Sequence, residues 1–308
     1  MESKCMHEVQ SPTLQERVLS ALAHLSILAG GIGLFVPALI WATKRRTSNY
    51  TSFQALQALG YAIFAILYDL LVTLVMLIVL LILLLAISAS NEIGSVQATS
   101  AGHWMVAILM IAIAFLLLPV LLGIIGALAC LFGKEFHYPI LGKRLAVYLQ
   151  QGRIEGIDLD HEDRYVAAVI HACVLFVYPA IPYYIAAPLV ALLSSKGRSQ
   201  LLHFQSLQAL VFQLLGTVVS FGFIMVMAGM LISAMIFSGI NPITGAMANS
   251  SSTPAVILLL AAMLIFLIFL LFLPVIQTFG LVASYRVLKG KNYEYPLVGK
   301  LVKNWSWI

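Results

Sequence analysis

The chain has 308 residues, of which 62% are hydrophobic and only 9% charged, and its mean hydropathy is +1.02. A water-soluble domain carries roughly a quarter charged residues, so soluble enzymes and soluble binding modules are excluded and lipid must replace water over most of the surface. The net charge of +5 does not point to nucleic acid, because basic residues collected on one membrane face account for it.

The lead of the chain mixes Glu2, Lys4, Glu8 and Glu16, and Ala21-Leu22-Ala23 falls inside the first apolar run. This is not the pattern of a cleaved signal, so the N-terminus is expected in the mature protein. Apolar runs are long and lack two-residue alternation, which predicts helices rather than a barrel. The first run, 19–42, carries Gly30, Gly31 and Gly33 at its middle. Glycine permits a backbone break there, and the run is expected to turn back as a helical hairpin. Each leg would then hold about 12–14 residues, roughly 18–21 Å, short of a ~30 Å hydrocarbon core. His24 falls in the first leg, placed either to gate a proton or to hydrogen-bond the broken backbone.

After Lys44-Arg45-Arg46 the second run, 53–88, opens F-Q-A-L-Q-A-L. Its length exceeds the ~20 residues of one crossing, so that either its start lies at the inner interface or the excess is taken up by tilt. Gln54 and Gln57 are three apart and share one helix face. They suit binding a partner or substrate, or capping neighbouring helix ends. Asp69 is the one acidic residue inside an apolar run. A carboxyl at that depth costs about 2.5–3.5 kcal/mol on insertion scales, which makes it a functional candidate. Its alternative reading is a protonated or paired carboxyl packed in the bundle. The third run spans 104–132, and Tyr138-Pro139 with Gly142-Lys143 closes the unit.

A second copy follows. Glu16-Arg17 and His24 return as Asp163-Arg164 and His171 (171 − 24 = 147), Phe53–Leu59 as Phe204–Leu210 (204 − 53 = 151), and Tyr138-Pro139 as Tyr295-Pro296 (295 − 138 = 157). The expected organisation is a membrane repeat over 1–150, a cytoplasmic linker over 151–160 and a second repeat over 161–308. Pro179 and Pro182 occupy the hairpin break of the second copy, and Gln205 and Gln208 repeat the glutamine pair, whereas Asp69 has Ser220 as its counterpart (69 + 151 = 220). His161-Glu162-Asp163 reads as a solvated charge run. At the end, Leu297, Val298, Leu301, Val302 and Trp305 alternate with Lys300 and Lys303 as in a short helix lying on an anionic leaflet.

The hairpin reading places all 17 basic residues on one side, while 89–103 and 238–254 contain neither Lys nor Arg; a singly crossing first run would scatter the charges over both sides. The positive-inside rule favours the hairpin, with both termini cytoplasmic in a bacterial inner membrane. The expected fold class is an all-α integral membrane protein of two tandem parallel repeats, each a short or re-entrant hairpin, two transmembrane helices and a short interfacial helix. Cys5, Cys130 and Cys173 are isolated, and no nucleophile elbow, metalloprotease, Walker or dinucleotide motif occurs. No catalytic, cofactor or metal residues are therefore assigned.

Arg17 with Ala23-His24, the Pro37 run into Lys44-Arg45-Arg46, the F-Q-x-L-Q-A-L start and Gly290-Lys291-Asn292-Tyr293-Glu294-Tyr295-Pro296 resemble the small bacterial domain grouped with the Tic-twenty-like membrane proteins. The resemblance implies a four-helix unit and, from its chloroplast members, a part in protein import. The reading that follows is a non-enzymatic membrane component that assembles with or moves other membrane proteins, partnered by the lipid bilayer and other membrane proteins and not by nucleic acid. The alternative is a solute or ion channel or carrier with a path near Asp69, His24 and His171.

Overall fold

The computed structural model of the chain describes residues 11–89, 95–150, 159–177, 185–238 and 252–305. The described residues are mainly helical and contain no strand. They divide into two compact units, 1–169 and 170–308.

The first unit begins with α1 (Leu14–Leu25), 3₁₀ turns over Ser26–Leu34 and α2 (Phe35–Lys44). Thr13 caps α1 in a reciprocal box: its hydroxyl accepts from Glu16 N at 3.3 Å while the Glu16 carboxylate accepts from Thr13 N at 2.8 Å, satisfying two otherwise orphan donors. The chain then folds back. A Cβ on Gly33 would lie 1.9 Å from the carbonyl oxygen of Ser26, seven residues earlier (33 − 26 = 7). A straight 3₁₀ run would hold those residues ~14 Å apart. Helices α1 and α2 also touch one another, and both lie on α3. With 12 and 10 residues, or ~18 and ~15 Å, neither leg crosses a bilayer.

Helix α3 (Asn49–Ala89) has 41 residues and α4 (Ser95–Leu131) 37. The Ser48 hydroxyl accepts from Thr51 N at 3.1 Å to start α3. Along the first part of α3, Ala55, Leu56, Ala58, Leu59 and Tyr61 are buried against the hairpin and α4. Beyond it Leu70, Leu71, Leu74, Val75, Leu77, Ile78, Leu81 and Ile82 are all exposed. Consecutive exposed positions point all round a helix, an apolar surface that water does not tolerate on this scale but lipid does. The length beyond one crossing is thus the part that packs on the hairpin. Helix α5 (Leu141–Gln150) follows.

Helix α6 (Leu159–Ala172) brings a correction. Glu162 and Asp163, read from sequence as solvated, are 1% and 7% exposed. Glu162 accepts from Trp41 Nε1 and from Ser52 Oγ at 3.1 Å. Arg45 donates to Asp163 at 2.6 Å, and its guanidinium lies 4.7 Å over the Trp41 ring. The carboxylates look like surface charge because their partners lie over a hundred residues away.

The second unit repeats the plan with 3₁₀ turns over Cys173–Val177, α7 (Ala186–Ser195), α8 (Gln200–Phe237), α9 (Ser252–Leu288) and α10 (Val298–Trp305). Ser199 caps α8 as Ser48 caps α3, accepting from Leu202 N at 3.2 Å. Pro179 and Pro182 lie outside the described residues. On α10, Val298 and Val302 face inward while Leu301 and Trp305 are exposed. Among the described residues, four helices, 49–83, 103–131, 200–237 and 253–288, are long and apolar enough to cross a membrane. The chain is an all-α multi-pass membrane protein built on an internal repeat.

Candidate functional site

Each unit holds the same buried polar cluster. In the first, α1 carries His24 onto the face that meets α3 and α4, where the ring is 1% exposed. Its Nε2 lies 2.9 Å from Gln54 Oε1 and its Nδ1 2.9 Å from the Tyr138 hydroxyl. A carbonyl oxygen only accepts. Nε2 therefore carries the proton and Nδ1 accepts from Tyr138, so the imidazole is neutral with its tautomer set by its neighbours. One helical turn on, Gln57 Nε2 donates to the Phe136 carbonyl at 2.9 Å, and Gln57 Oε1 accepts from Tyr138 N at 3.2 Å. One amide side chain thereby satisfies both backbone groups of the extended segment that follows α4. The Tyr138 ring stacks on Tyr61 at 3.7 Å and 10°.

The second unit reproduces the cluster. His171 Nε2 lies 2.9 Å from Gln205 Oε1 and Nδ1 3.0 Å from the Tyr295 hydroxyl. Gln208 Nε2 donates to the Tyr293 carbonyl at 2.7 Å, and its Oε1 accepts from Tyr295 N at 3.2 Å. Phe212 stacks on Tyr295 at 4.0 Å and 6°. One difference stands out: Gln205 Nε2 also reaches Tyr293 O at 3.2 Å, whereas Gln54 Nε2 is buried without a partner among the described residues.

Two glycines let the last helix approach. A Cβ on Gly123 would lie 2.6 Å from Ile27 Cγ2 and 3.2 Å from His24 O; one on Gly280 would lie 2.3 Å from Val174 Cγ1 and 2.9 Å from His171 O. The histidine carbonyl and the β-branched residue three positions on meet the same glycine in both units.

Burial, opposed by the glutamine hydrogen bond, pushes His24 and His171 down to about 4. Both ring nitrogens of each are engaged, which leaves no lone pair for a metal, and no group of three metal-ligating side chains exists among the described residues. Chemically, the cluster is a neutral clasp joining the hairpin, the start of the first long helix and the segment after the second.

The structure thus brings His24 together with Gln54 and Gln57, and His171 with Gln205 and Gln208. Gly30, Gly31 and Gly33 lie in the 3₁₀ turns of the hairpin. Asp69 stands apart from the cluster, fifteen residues beyond Gln54 on α3 (69 − 54 = 15), ~22 Å along the axis. It is partly buried, and its Oδ1 and the neighbouring Tyr68 hydroxyl have no hydrogen-bond partner among the described residues. Sequence reasoning missed Tyr138, Tyr295, Gly123 and Gly280 as members. The Tyr-Pro repeat was the available signal, read there as the lead into an anchoring helix.

The family model for the magnetosome magnetite crystal formation protein family matches this chain twice, over residues 15–145 and 162–302. No curated protein and no solved structure matches it. The family match overturns the resemblance to Tic-twenty-like proteins, and the import role drawn from that resemblance falls with it. The motifs that carried it, Ala-His, the paired glutamines and Tyr-Pro, are parts of one packing arrangement. They identify how such a unit holds together and not what it does.

Proposed function

Because the chain belongs to the magnetosome magnetite crystal formation protein family, matched in both of its units, we propose that it acts in magnetite crystal formation as a non-enzymatic scaffold of the magnetosome membrane. The observation that carries this reading is the double match together with the chemistry of the repeated cluster. The buried histidine, glutamines and tyrosine repeated in each unit are neutral and hydrogen-bonded within one cluster, which suits a rigid framework. A proton or ion path needs groups that can exchange partners, and His24 and His171 offer no free nitrogen. Other membrane proteins are the proposed partners. The termini and basic turns face the cytoplasm and 89–103 and 238–254 the opposite side, as the positive-inside rule favours.

Deleting the gene in a magnetite-forming cell and measuring crystal number and size by electron microscopy tests the role. Altered crystals are expected, restored by the wild-type chain and equally by Asp69→Asn. Unchanged crystals in the deletion strain would refute the assignment. Failure of Asp69→Asn to restore them would favour the channel or carrier reading. Cysteine labelling from outside intact cells should leave positions 44 and 196 equally protected; a difference between them would overturn the topology.

A further inference from the structure

The second unit has a groove of about 530 Å³ along the end of α9, walled by Pro274, Val275, Phe279 and Val282, with Arg286 and Tyr293 at its mouth. Positions 275, 279, 282 and 286 follow one helical stripe, and from Pro274 to Arg286 the groove runs ~18 Å (twelve residues at 1.5 Å). Apart from Thr278, whose hydroxyl donates to the Pro274 carbonyl at 2.7 Å, its wall along α9 from Pro274 to Val282 is apolar. Its mouth carries a charge. The Arg286 guanidinium lies 5.6 Å over the Tyr293 ring, and no carboxylate pairs with it among the described residues. Glu294, which also lines the groove, is neutralised by Lys303 Nζ at 2.8 Å. Lys289, Lys291, Lys300 and Lys303 follow close in the chain, so Glu294 is the one acid among five bases over 286–303.

We propose that this groove is a binding site for one anionic phospholipid, its phosphate on Arg286 and an acyl chain along Val282, Phe279 and Val275. The two halves of the site fit the two halves of that molecule. A planar guanidinium held against an aromatic face presents its N–H fork to a phosphate, and a groove this long and apolar has no use for a free phosphate ion. The first unit supplies an internal comparison. At the same shift of 157, Ala129 stands for Arg286 and Phe136 for Tyr293, so the site belongs to the second unit alone.

The test is native mass spectrometry of the full-length chain released from micelles containing equimolar phosphatidylglycerol and phosphatidylcholine. The wild type is expected to keep one phosphatidylglycerol in preference to phosphatidylcholine. Arg286→Ala, which installs the first unit's residue, is expected to cut that preference about tenfold, the effect of losing one charge-assisted contact. Val282→Trp, filling the groove with the charge intact, is expected to lower retention of both lipids. Lys289→Gln is expected to change little. The proposal is overturned if Arg286→Ala keeps the preference, if Lys289→Gln loses it as fully, which would mean diffuse surface attraction, or if excess inorganic phosphate displaces the lipid. Arg286→Ala lies on an exposed last turn, so its result decides even if Val282→Trp fails to fold.

Discussion

Substituting Gly280 by alanine isolates the close approach of α9 to the hairpin. Two opposing terms act. Glycine to alanine inside a helix gains about 1 kcal/mol from propensity, while overpacking a filled contact costs about 1–3 kcal/mol. Here the new Cβ would sit 2.3 Å from Val174 Cγ1 and 2.9 Å from the His171 carbonyl oxygen. The carbonyl is backbone and cannot rotate away, so the cost should fall at the upper end and the net effect should be a loss of about 1–2 kcal/mol. At Gly222 and Gly229, both within α8, a Cβ would meet nothing within 4 Å. There only the propensity term acts, and alanine should stabilise by up to about 1 kcal/mol. Thermal unfolding of the full chain in detergent reads both signs. Val174→Ala alone removes packing, yet in combination with Gly280→Ala it also removes the nearest clash. The pair should therefore be less destabilised than the sum by at least about 0.5 kcal/mol, as contacting residues couple. A neutral Gly280→Ala, or strict additivity with Val174→Ala, would refute the argued contact.

Gly33→Ala is expected to cost more than any other small change, about 3 kcal/mol or more, because a Cβ 1.9 Å from Ser26 O forces the turn apart; limited proteolysis between α1 and α2 should rise sharply, and an unchanged pattern would disprove the tight turn. Arg45→Met leaves Glu162 and Asp163 buried without their cation, which should cost about 3–5 kcal/mol, readable as a lower midpoint of thermal unfolding. Lowering the pH from 7 to 5 should destabilise the wild type. A histidine held at about 4 when folded against 6.5 when free favours folding fully above 6.5 and loses that advantage as pH falls toward 4. At pH 5 the loss is about 2 kcal/mol for each histidine, at 1.36 kcal/mol per pH unit below 6.5. Glu162, raised by burial despite Arg45, acts with the opposite sign, so the slope is best measured in a Glu162→Gln background, where its persistence after His24→Leu and His171→Leu would contradict the assignment.

Much of the architecture could be read from the amino acids because the signals involved are local. Apolar run length gives the four long helices, and the ordered recurrence of short strings at shifts of 147, 151 and 157 gives the duplication. Spacing three put Gln54 and Gln57 on one face, and that face is buried, each residue 0% exposed. What the face meets was not readable. His24 and Tyr138 are 114 positions apart, and no periodicity reports a contact of that range. The same holds for Trp41 and Glu162, 121 positions apart. Glutamic acid next to aspartic acid at a helix start looks like a water-facing end, and only the arginine and indole folded over it make it core. The family assignment failed for a related reason: strings as short as Ala-His and Tyr-Pro report local packing and do not single out a family.

The two copies within this chain also separate framework from function. Residues identical in both units include His24 and His171, Gln54 and Gln205, Gln57 and Gln208, Tyr138 and Tyr295, and Gly123 and Gly280. The histidine, glutamine and tyrosine side chains are buried and bonded to one another, and the glycines are held by close contact with the hairpin. Through drift that altered most other positions, these are the ones whose loss leaves an unpaired polar group or a clash inside the fold. The positions that differ have a different character. Trp41 faces Leu192 in the alignment, Arg45 faces Lys196, Asp69 faces Ser220 and Ala129 faces Arg286. They lie in the buried ion network of α6, on the lipid-crossing part of α3 and at the mouth of the α9 groove. Changes at the shared set should therefore disturb folding in either unit alike. A task that belongs to one unit must be carried by the residues that part company. Among the described residues Arg286 in the second unit is such a residue, since no carboxylate pairs with it.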